Sequence, residues 1–346
     1  MSGPGHKVRV GLIGAGGFGR YTAHIVARQA ELELAGVADI DARAAHALGQ
    51  AHAVPWWDDP VKLLADCACD AVAVVTPHNT HHNLVLAAAR HGRHIFCEKT
   101  MAMNVAECHA MIDAAAAHGV KLMVGHKRRF RPPYAEMKRL LLTGAFGRPL
   151  AINVAGFFGR RIQGFWKDRA ACGGLLYWAG VHDVDTLRHL LGEVAEVYAV
   201  IGPKLHPEVS DQEDSIVVHL RFANGAVGTL QVSTHFPMAT YRTGFGYQIV
   251  CERGGIGYDP RQVAVTAQLQ GQPPEVVFFE GHNADAAYDV EWSSFAAWIL
   301  RAEPPVLTGV DGLRCVEILQ AAYIAADTGA PVRLPLARDE RRPGWW

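Results

Sequence analysis

The residues best placed to do chemistry begin with Gly14-Ala15-Gly16-Gly17-Phe18-Gly19, which follows the apolar run Val8 to Ile13 directly and fits GxGxxG. In that setting the first glycine permits a tight turn, the second lets backbone approach a pyrophosphate, and the third lets a helix pack closely on the strand. A helical segment from Arg20 to Ala30 follows, so its unpaired N-terminal amides and positive dipole end face the phosphates. Asp39 closes a second strand, Leu32 to Ala38, and lies 20 positions after Gly19, where a carboxylate can bind the adenosine ribose diol. The alternative is a loop aspartate capping the next helix, Asp41 to Gly49. Ile40 comes next where an arginine would serve a 2′-phosphate, so the pocket favours NAD over NADP, with Arg20 and Arg43 able to reverse that choice. His78, His81 and His82 have helix-compatible spacing for a metal, but no HExxH glutamate or third ligand accompanies them, and no metal is expected.

The elements that must position these groups alternate regularly. Strands at Ala71 to Val75, His94 to Cys97 and Lys121 to Val124 are separated by helices at His82 to His91 and Val105 to His118. Such alternation predicts an α/β unit, a doubly wound parallel sheet covered on both faces, with ligands at the carboxyl ends of its strands. Three strand ends therefore stand out: Thr76 to His81, Glu98-Lys99-Thr100, and Gly125 to Phe130.

The chain has 346 residues, enough for two domains, with boundaries read as 1–126 for dinucleotide binding and 127–346 for substrate binding and self-association, the C-terminal helix being free to pack back on the first domain. A formal charge of -1 gives no electrostatic case for nucleic acid or an anionic membrane, and no apolar stretch approaches the roughly 20 residues that span a bilayer. A cytoplasmic protein acting on a small molecule is the expectation. The seven cysteines form no CxxC pair, which fits reduced core thiols.

The strand ends resemble those of the Gfo/Idh/MocA family of sugar and inositol oxidoreductases. Thr76, Pro77 and His81 match its Thr-Pro-x-x-x-His turn, Glu98 and Lys99 its Glu-Lys-Pro turn, and Arg129-Phe130-Arg131-Pro132 its entry to the second domain. The likeness continues through Asp311-Gly312-Leu313 to Gly329 and covers nearly the whole chain. It implies that Thr76, Pro77, His81, Glu98, Lys99 and Lys127 join the glycine loop, Phe18, Asp39 and Ile40 around NAD. It also implies a cyclic polyol, sugar or sugar acid as substrate, contacted by Lys99, Lys127, Arg161, Trp166, Trp178, His182 and Asp185. Oxidising a secondary alcohol needs a base for the hydroxyl proton, and the resemblance assigns Lys99 and His182 to that work.

Two positions depart from the family pattern. Thr100 stands where proline is usual; a non-proline cis peptide costs roughly 3 kcal/mol, so a trans or reshaped turn is expected. In Gly173-Gly174-Leu175-Leu176-Tyr177-Trp178-Ala179-Gly180-Val181-His182-Asp183-Val184-Asp185, Trp178 stands where the family has aspartate. Tryptophan exchanges no proton at useful pH, but its flat face can pack on a sugar ring. Either His182 works with Lys99 alone, or another acid such as Asp183 substitutes, or the usual dehydrogenation has been replaced. Three functions follow: an NAD-dependent dehydrogenase, an enzyme retaining NAD for oxidation-assisted hydrolysis, elimination or epimerisation, and a non-catalytic sensor. Asp185 orients substrate or histidine, or belongs to a polar helix face. Lys127, Arg160, Arg161, Lys167 and Arg169 suggest an anionic substrate or plain solvated surface, and Trp166 a substrate wall or packing.

From about Leu150 the pattern becomes β-rich, at Ile152 to Phe158, Val194 to Ile201, Ser215 to Phe222, Ala226 to Phe236, Gly244 to Cys251, Val263 to Gln268 and Glu275 to Phe279. Strands without intervening helices predict a mainly antiparallel open sheet in an α+β domain, with Asn224-Gly225 supplying the positive φ angles of a tight hairpin. Ile216, Val218 and Leu220 form one apolar face, to be covered by a second copy in a homodimer or homotetramer or by the domain's own helices.

Overall fold

The computed structural model describes residues 7–157, 164–204, 210–234, 244–279 and 284–340. They form two compact units, Met1–Lys127 with Asp285–Leu313, and Arg128–Ala284 with Arg314–Trp346. In the first, β1 (Val8–Ile13), α1 (Gly17–Arg28), β2 (Leu32–Ala38), α2 (Ala42–His52), β3 (Trp56–Trp57), α3 (Pro60–Asp66), β4 (Ala71–Val74), α4 (His78–Arg90), β5 (His94–Glu98), α5 (Val105–Ala117) and β6 (Leu122–Gly125) alternate. The strands make one parallel sheet in the order β3-β2-β1-β4-β5-β6. Val10, Leu12 and Ile13 of β1 and all four residues of β4 are buried, as a sheet covered on both faces requires. Strand order reverses between β1 and β4, the place where such sheets bind ligands.

Helix ends in this unit are of two kinds. Asp41 caps α2 by accepting from the Arg43 and Ala44 amides at 3.0 and 3.3 Å, Asp59 caps α3, and Asn104 caps α5 by accepting from the Glu107 amide at 2.9 Å. The starts of α1 and α4 have neither a side-chain cap nor an acidic residue in the first turn. Those two N-termini, at the ends of β1 and β4, keep their amides available for an anion.

The second unit is built from α6 (Pro132–Leu142), β7 (Pro149–Phe157), α7 (Arg169–Cys172), α8 (Val181–Leu191), β8 (Val194–Ile201), β9 (Ser215–Phe222), β10 (Val227–Ser233), β11 (Gly244–Cys251), β12 (Gly254–Asp259), β13 (Ala264–Leu269) and β14 (Glu275–Phe278). The chain then runs through α9 (Ala284–Arg301), α10 (Gly309–Thr328) and β15 (Val332–Arg333). The sheet order is β14-β13-β12-β11-β7-β10-β9-β8-β15, antiparallel except for the β7–β10 pair. Most of α9 returns to the first unit, where Trp292 stacks on Phe96 with centroids 4.1 Å apart.

Three readings of the second unit need correction. Ile216, Val218 and Leu220 are buried within the chain, at 0%, 0% and 4% exposure, so this face needs no second copy to cover it. The opposite face carries the exposed Val200, Val227 and Val250 beside Asn153, Thr229 and Gln248. Strand β12 escaped the sequence pattern because Gly254, Gly255 and Gly257 look like a turn; a Cβ at Gly254 would come within 2.1 Å of the Gln268 carbonyl oxygen. In the β9–β10 hairpin only Gly225 has positive φ, +89°, and the Gly225 amide donates to the Phe222 carbonyl at 3.0 Å. A turn closed by a single left-handed glycine therefore replaces the pair of positive φ angles expected at Asn224-Gly225.

Candidate active site

The dinucleotide end of the first unit is shaped by glycines with different jobs. Gly14 has φ +110°, and a Cβ there would lie 2.2 Å from the Val75 carbonyl oxygen; at Gly19 it would lie 1.9 Å from the Gly14 carbonyl oxygen. At Gly16 and Gly17 nothing stands within 4 Å, so this side of the loop is open for a phosphate to approach. Asp39 ties the loop down: Oδ2 accepts from the Ala15 amide at 2.6 Å and Oδ1 from the Asp41 amide at 2.9 Å. A carboxylate holding one amide on each oxygen still has lone pairs for a diol. Ile40 is 88% exposed, and Phe18, 39% exposed, clusters with Tyr21 and Tyr288 at centroid distances of 5.7 and 5.8 Å. Gly14→Ala is expected to cost about 1–3 kcal/mol or more of stability through overpacking and strain. Gly16→Ala should leave stability within about 0.5 kcal/mol yet weaken NAD binding about tenfold. Thermal shifts with and without NAD read both, and equal effects of the two changes would contradict the division of labour.

At the ends of β4 and β5, Thr76 and Pro77 lead into α4, whose His81 is fully buried. His81 Nε2 faces the Thr76 carbonyl oxygen and Nδ1 the Thr100 carbonyl oxygen, each at 2.9 Å. The ring thus joins two turns. Burial lowers its pKa, against the pull of those carbonyls, so the ring is held neutral and donates to one of them at a time. The Lys99–Thr100 peptide is cis, contrary to the trans turn expected for a non-proline residue. Thr100 is wholly buried and its carbonyl is engaged by His81, so the fold defines this turn without proline.

Lys99 is half-buried, and its amide donates to Glu98 Oε2 at 3.1 Å. Lys127 Nζ hydrogen-bonds the Tyr288 hydroxyl and lies 4.4 Å from that ring's centroid. Burial pushes the Glu98 carboxyl up to about 7, against the opposing pull of Lys99 and Lys127. The folded chain then keeps a proton that the unfolded chain releases near 4.5. Its stabilising contribution is full below that value and lost as pH rises through about 7. Between those limits the wild type should lose stability relative to Glu98→Gln by up to about 1.4 kcal/mol per pH unit, read from urea midpoints. Parallel pH profiles of the two proteins would mean that the carboxyl is already ionised.

In the second unit, Gly173 and Gly174 adopt φ of +87° and +103°, and a Cβ on Gly174 would meet the Tyr323 hydroxyl at 2.5 Å. That hydroxyl accepts from the Leu176 amide at 3.1 Å and donates to Glu213, which also pairs with Arg169 at 2.9 Å. A π-helical turn, Leu176–Gly180, follows and runs straight into α8. Such turns recur at functional sites because they re-aim side chains. Within 171–188 every residue is buried except Trp178 and His182, one turn apart and therefore on one helical face.

The flanking acids face inward. Asp183 is fully buried beside Arg128 and the Tyr247 hydroxyl, and burial lifts its carboxyl to about 6. It is therefore badly placed as the substitute acid considered above. Asp185, also fully buried, takes a bidentate pair from Arg129, at 2.6 Å from Nη2 and 3.0 Å from Nε, so it belongs to the interior and not to a polar outer face. Trp166 lies against Trp178 at 5.5 Å, and Gln212 accepts the Trp178 indole N–H at 2.8 Å. Arg169 is engaged by Glu213 and Lys167 is exposed, while Arg160 and Arg161 lie outside the described residues.

Comparison with known proteins agrees with this fold. The family model for an oxidoreductase family with an NAD-binding Rossmann fold matches residues 8–126, and that for the GFO/IDH/MocA C-terminal domain matches residues 134–257. Inositol 2-dehydrogenase 4 of Saccharopolyspora erythraea is 32% identical over 272 residues, covering 77% of each chain. The chain belongs to the Gfo/Idh/MocA family. The scyllo-inositol 2-dehydrogenase (NAD(+)) of Bacillus subtilis is 28% identical over 354 residues, 96% of this chain and 98% of its own. A levoglucosan dehydrogenase solved with NADH and levoglucosan shares the fold at a TM-score of 0.86 and 22% identity, over 95% of this chain and 100% of that one. As a Gfo/Idh/MocA oxidoreductase the protein carries an NAD-binding Rossmann domain, and among the described residues no helix is long and apolar enough to cross a membrane.

Several residues of this family member were missed by the sequence reading. Gln212, Glu213 and Tyr323 support the Trp178 turn from 34 or more positions away, a separation that leaves no local signal. Arg128 and Arg129 were legible only as part of a motif, without their partners Asp183 and Asp185.

Proposed function

We propose that this Gfo/Idh/MocA member is an NAD-dependent dehydrogenase or reductase for a secondary alcohol of a cyclic polyol, sugar or sugar acid, with Lys99 and His182 as its acid–base groups. The observation that carries the reading is that Trp178 and His182, one turn apart, are the two half-buried residues of the otherwise buried stretch 171–188. The chain's residues fit the cofactor: the uncapped start of α1 and the open backbone at Gly16 and Gly17 suit its pyrophosphate, and Asp39 a ribose diol. When bound, NAD supplies the hydride acceptor, or its reduced form the donor.

His182 accepts the hydroxyl proton as the carbon is oxidised and returns it in the reverse direction, work suited to imidazole near neutral pH. Lys99, at the end of β5, is assigned the charge that develops on the substrate oxygen. Trp178 stands where a second acid would be expected and exchanges no proton, which leaves Lys99 as the partner of His182. Asp185 and Arg129 fix the helix that carries His182. Self-association through the outer sheet face around Val227 and Val250 completes the proposal.

Incubation with NAD and a panel of inositols, aldoses and sugar acids should raise the reduced-nicotinamide absorbance with one ring class. A flat trace with altered substrate would replace this reading by one in which NAD is retained through the cycle. A flat trace with unaltered substrate in both directions would contradict catalysis altogether.

A further inference from the structure

The seven cysteines include one pair separated by a single residue, Cys67-Ala68-Cys69, in the turn between α3 and β4. Cys67 ends the helix, its amide donating to the Leu63 carbonyl oxygen at 2.9 Å. The Cys69 amide donates in turn to the Cys67 carbonyl oxygen at 2.8 Å, the i to i+2 bond of a γ-turn. Two cysteines flanking such a turn are drawn closer than in extended chain, into the Cα separation that a disulfide spans. Both are free thiols, buried at 4% and 2% exposure, and they hydrogen-bond each other. Strands β1 and β2 pack against them: a Cβ at Gly11 would lie 3.4 Å from Cys69 Sγ, and one at Gly36 3.3 Å from Cys67 Sγ. Asp66 and Ala68 are exposed, so the turn itself lies at the surface.

One cation serves this turn. Arg93 Nη1 donates to the Cys69 carbonyl oxygen, and Nη2 to those of Cys67 and Leu64 at 3.3 and 3.5 Å. An arginine satisfies the open carbonyls of a helix end in this way, and here its charge also acts on both thiols. The hydrogen bond from Cys67, with help from Arg93 and the Gly11 backbone, holds the Cys69 thiol below its usual value against the effect of burial. Burial pushes Cys97, Cys172 and Cys251 the other way. A readily ionised thiol beside a second one is the arrangement in which a thiolate is oxidised and then resolved.

We propose that Cys67 and Cys69 form an oxidisable dithiol that hydrogen peroxide converts reversibly into an intrachain disulfide. The Cys69 thiolate attacks a peroxide oxygen: the S–O bond forms, the O–O bond breaks, and the hydroxide released takes up the proton that Cys69 gave. Cys67 then attacks the sulfenic sulfur of Cys69: the S–S bond forms, the S–O bond breaks, and a second water leaves with the Cys67 proton. Two thiols lose two electrons and one peroxide becomes two waters. The pair stands where β1 and β4 begin, beside Asp70, whose carboxylate accepts from the Arg9 amide at 2.8 Å. The dinucleotide loop follows the opposite, carboxyl end of β1, so a cofactor held there leaves the pair uncovered.

The test treats the reduced full chain with hydrogen peroxide, quenches with N-ethylmaleimide, and maps tryptic peptides by mass. Peptide 63–90 carries Cys67 and Cys69 and no other cysteine. It should lose two hydrogens and refuse maleimide at least about tenfold faster than the remaining cysteines are oxidised, because reaction follows the thiolate fraction. Dithiothreitol should restore both maleimide sites, and saturating NAD should leave the rate unchanged. In Cys67→Ser, the serine still donates to Cys69 but cannot resolve it, so dimedone should trap Cys69 as its sulfenic acid. Mapping of the unaltered chain stands whether or not that variant folds. Both sulfurs still open to maleimide after prolonged peroxide, or a bridge from this peptide to another, would overturn the proposal. So would sulfinic acid on this peptide without the disulfide.

Discussion

Replacing His182 by alanine is expected to lower kcat by about 10² to 10⁴, the usual contribution of a positioned general acid–base group. The same range is expected for Lys99→Ala. NAD affinity should change little in His182→Ala, because the glycine loop and Asp39 are built entirely within the other unit. The two losses should also combine less than additively, as happens when residues serve one proton transfer. Steady-state rates at saturating NAD, with cofactor affinity measured separately, read these effects. Turnover above a tenth of wild type in either variant would remove that residue from the chemistry.

The second large effect is on stability. Asp185 and Arg129 form a bidentate pair whose side chains are only 1% and 8% exposed, and Cys315 Sγ lies 3.8 Å from the same carboxylate. Removing one partner leaves the other charge buried without compensation, so Asp185→Ala should cost about 3–5 kcal/mol. Replacing both, as Asp185→Leu with Arg129→Met, should recover most of that loss, since apolar residues of similar size avoid the desolvation of either charge. Denaturant midpoints of the single and double variants test this directly. A loss below about 1 kcal/mol in the single variant would place the pair among weakly coupled surface ions. His182 sits one turn from Asp185 on α8, so the single variant should also lose turnover, and the double variant should regain stability before it regains rate.

What was legible in the sequence was local. The glycine loop, its strand and Asp39 lie within 32 consecutive residues, and each glycine has a neighbour or an open side that explains it. The shared face of Trp178 and His182 was not legible there, because the turn Leu176–Gly180 that joins Trp178 to α8 is a feature of the fold. Position alone did not show which flanking groups turn inward. Asp183 and Asp185 face the interior because Arg128 and Arg129 wait there, partners more than 50 residues away in sequence. The apolar face of β9 illustrates the same limit: alternation marks Ile216, Val218 and Leu220 for burial without saying whether helices of the same chain or a second copy covers them. Strand β12 failed for a different reason, because its glycines serve close approach of neighbouring backbone and resemble a turn in sequence. At Thr100, local cost argued for a trans peptide, and tertiary contacts around His81 decided otherwise.

Hydride transfer between a ring carbon and the nicotinamide can be followed by incubating the protein and NAD with ring polyols deuterated at carbon, beginning with scyllo-inositol, and examining the isolated cofactor by mass spectrometry and proton NMR. Reduced cofactor is expected to carry one deuterium at C4 of the nicotinamide, delivered to a single face. Oxidised product with no deuterium in the cofactor, or a panel of deuterated rings that yields no labelled cofactor at all, would contradict hydride transfer.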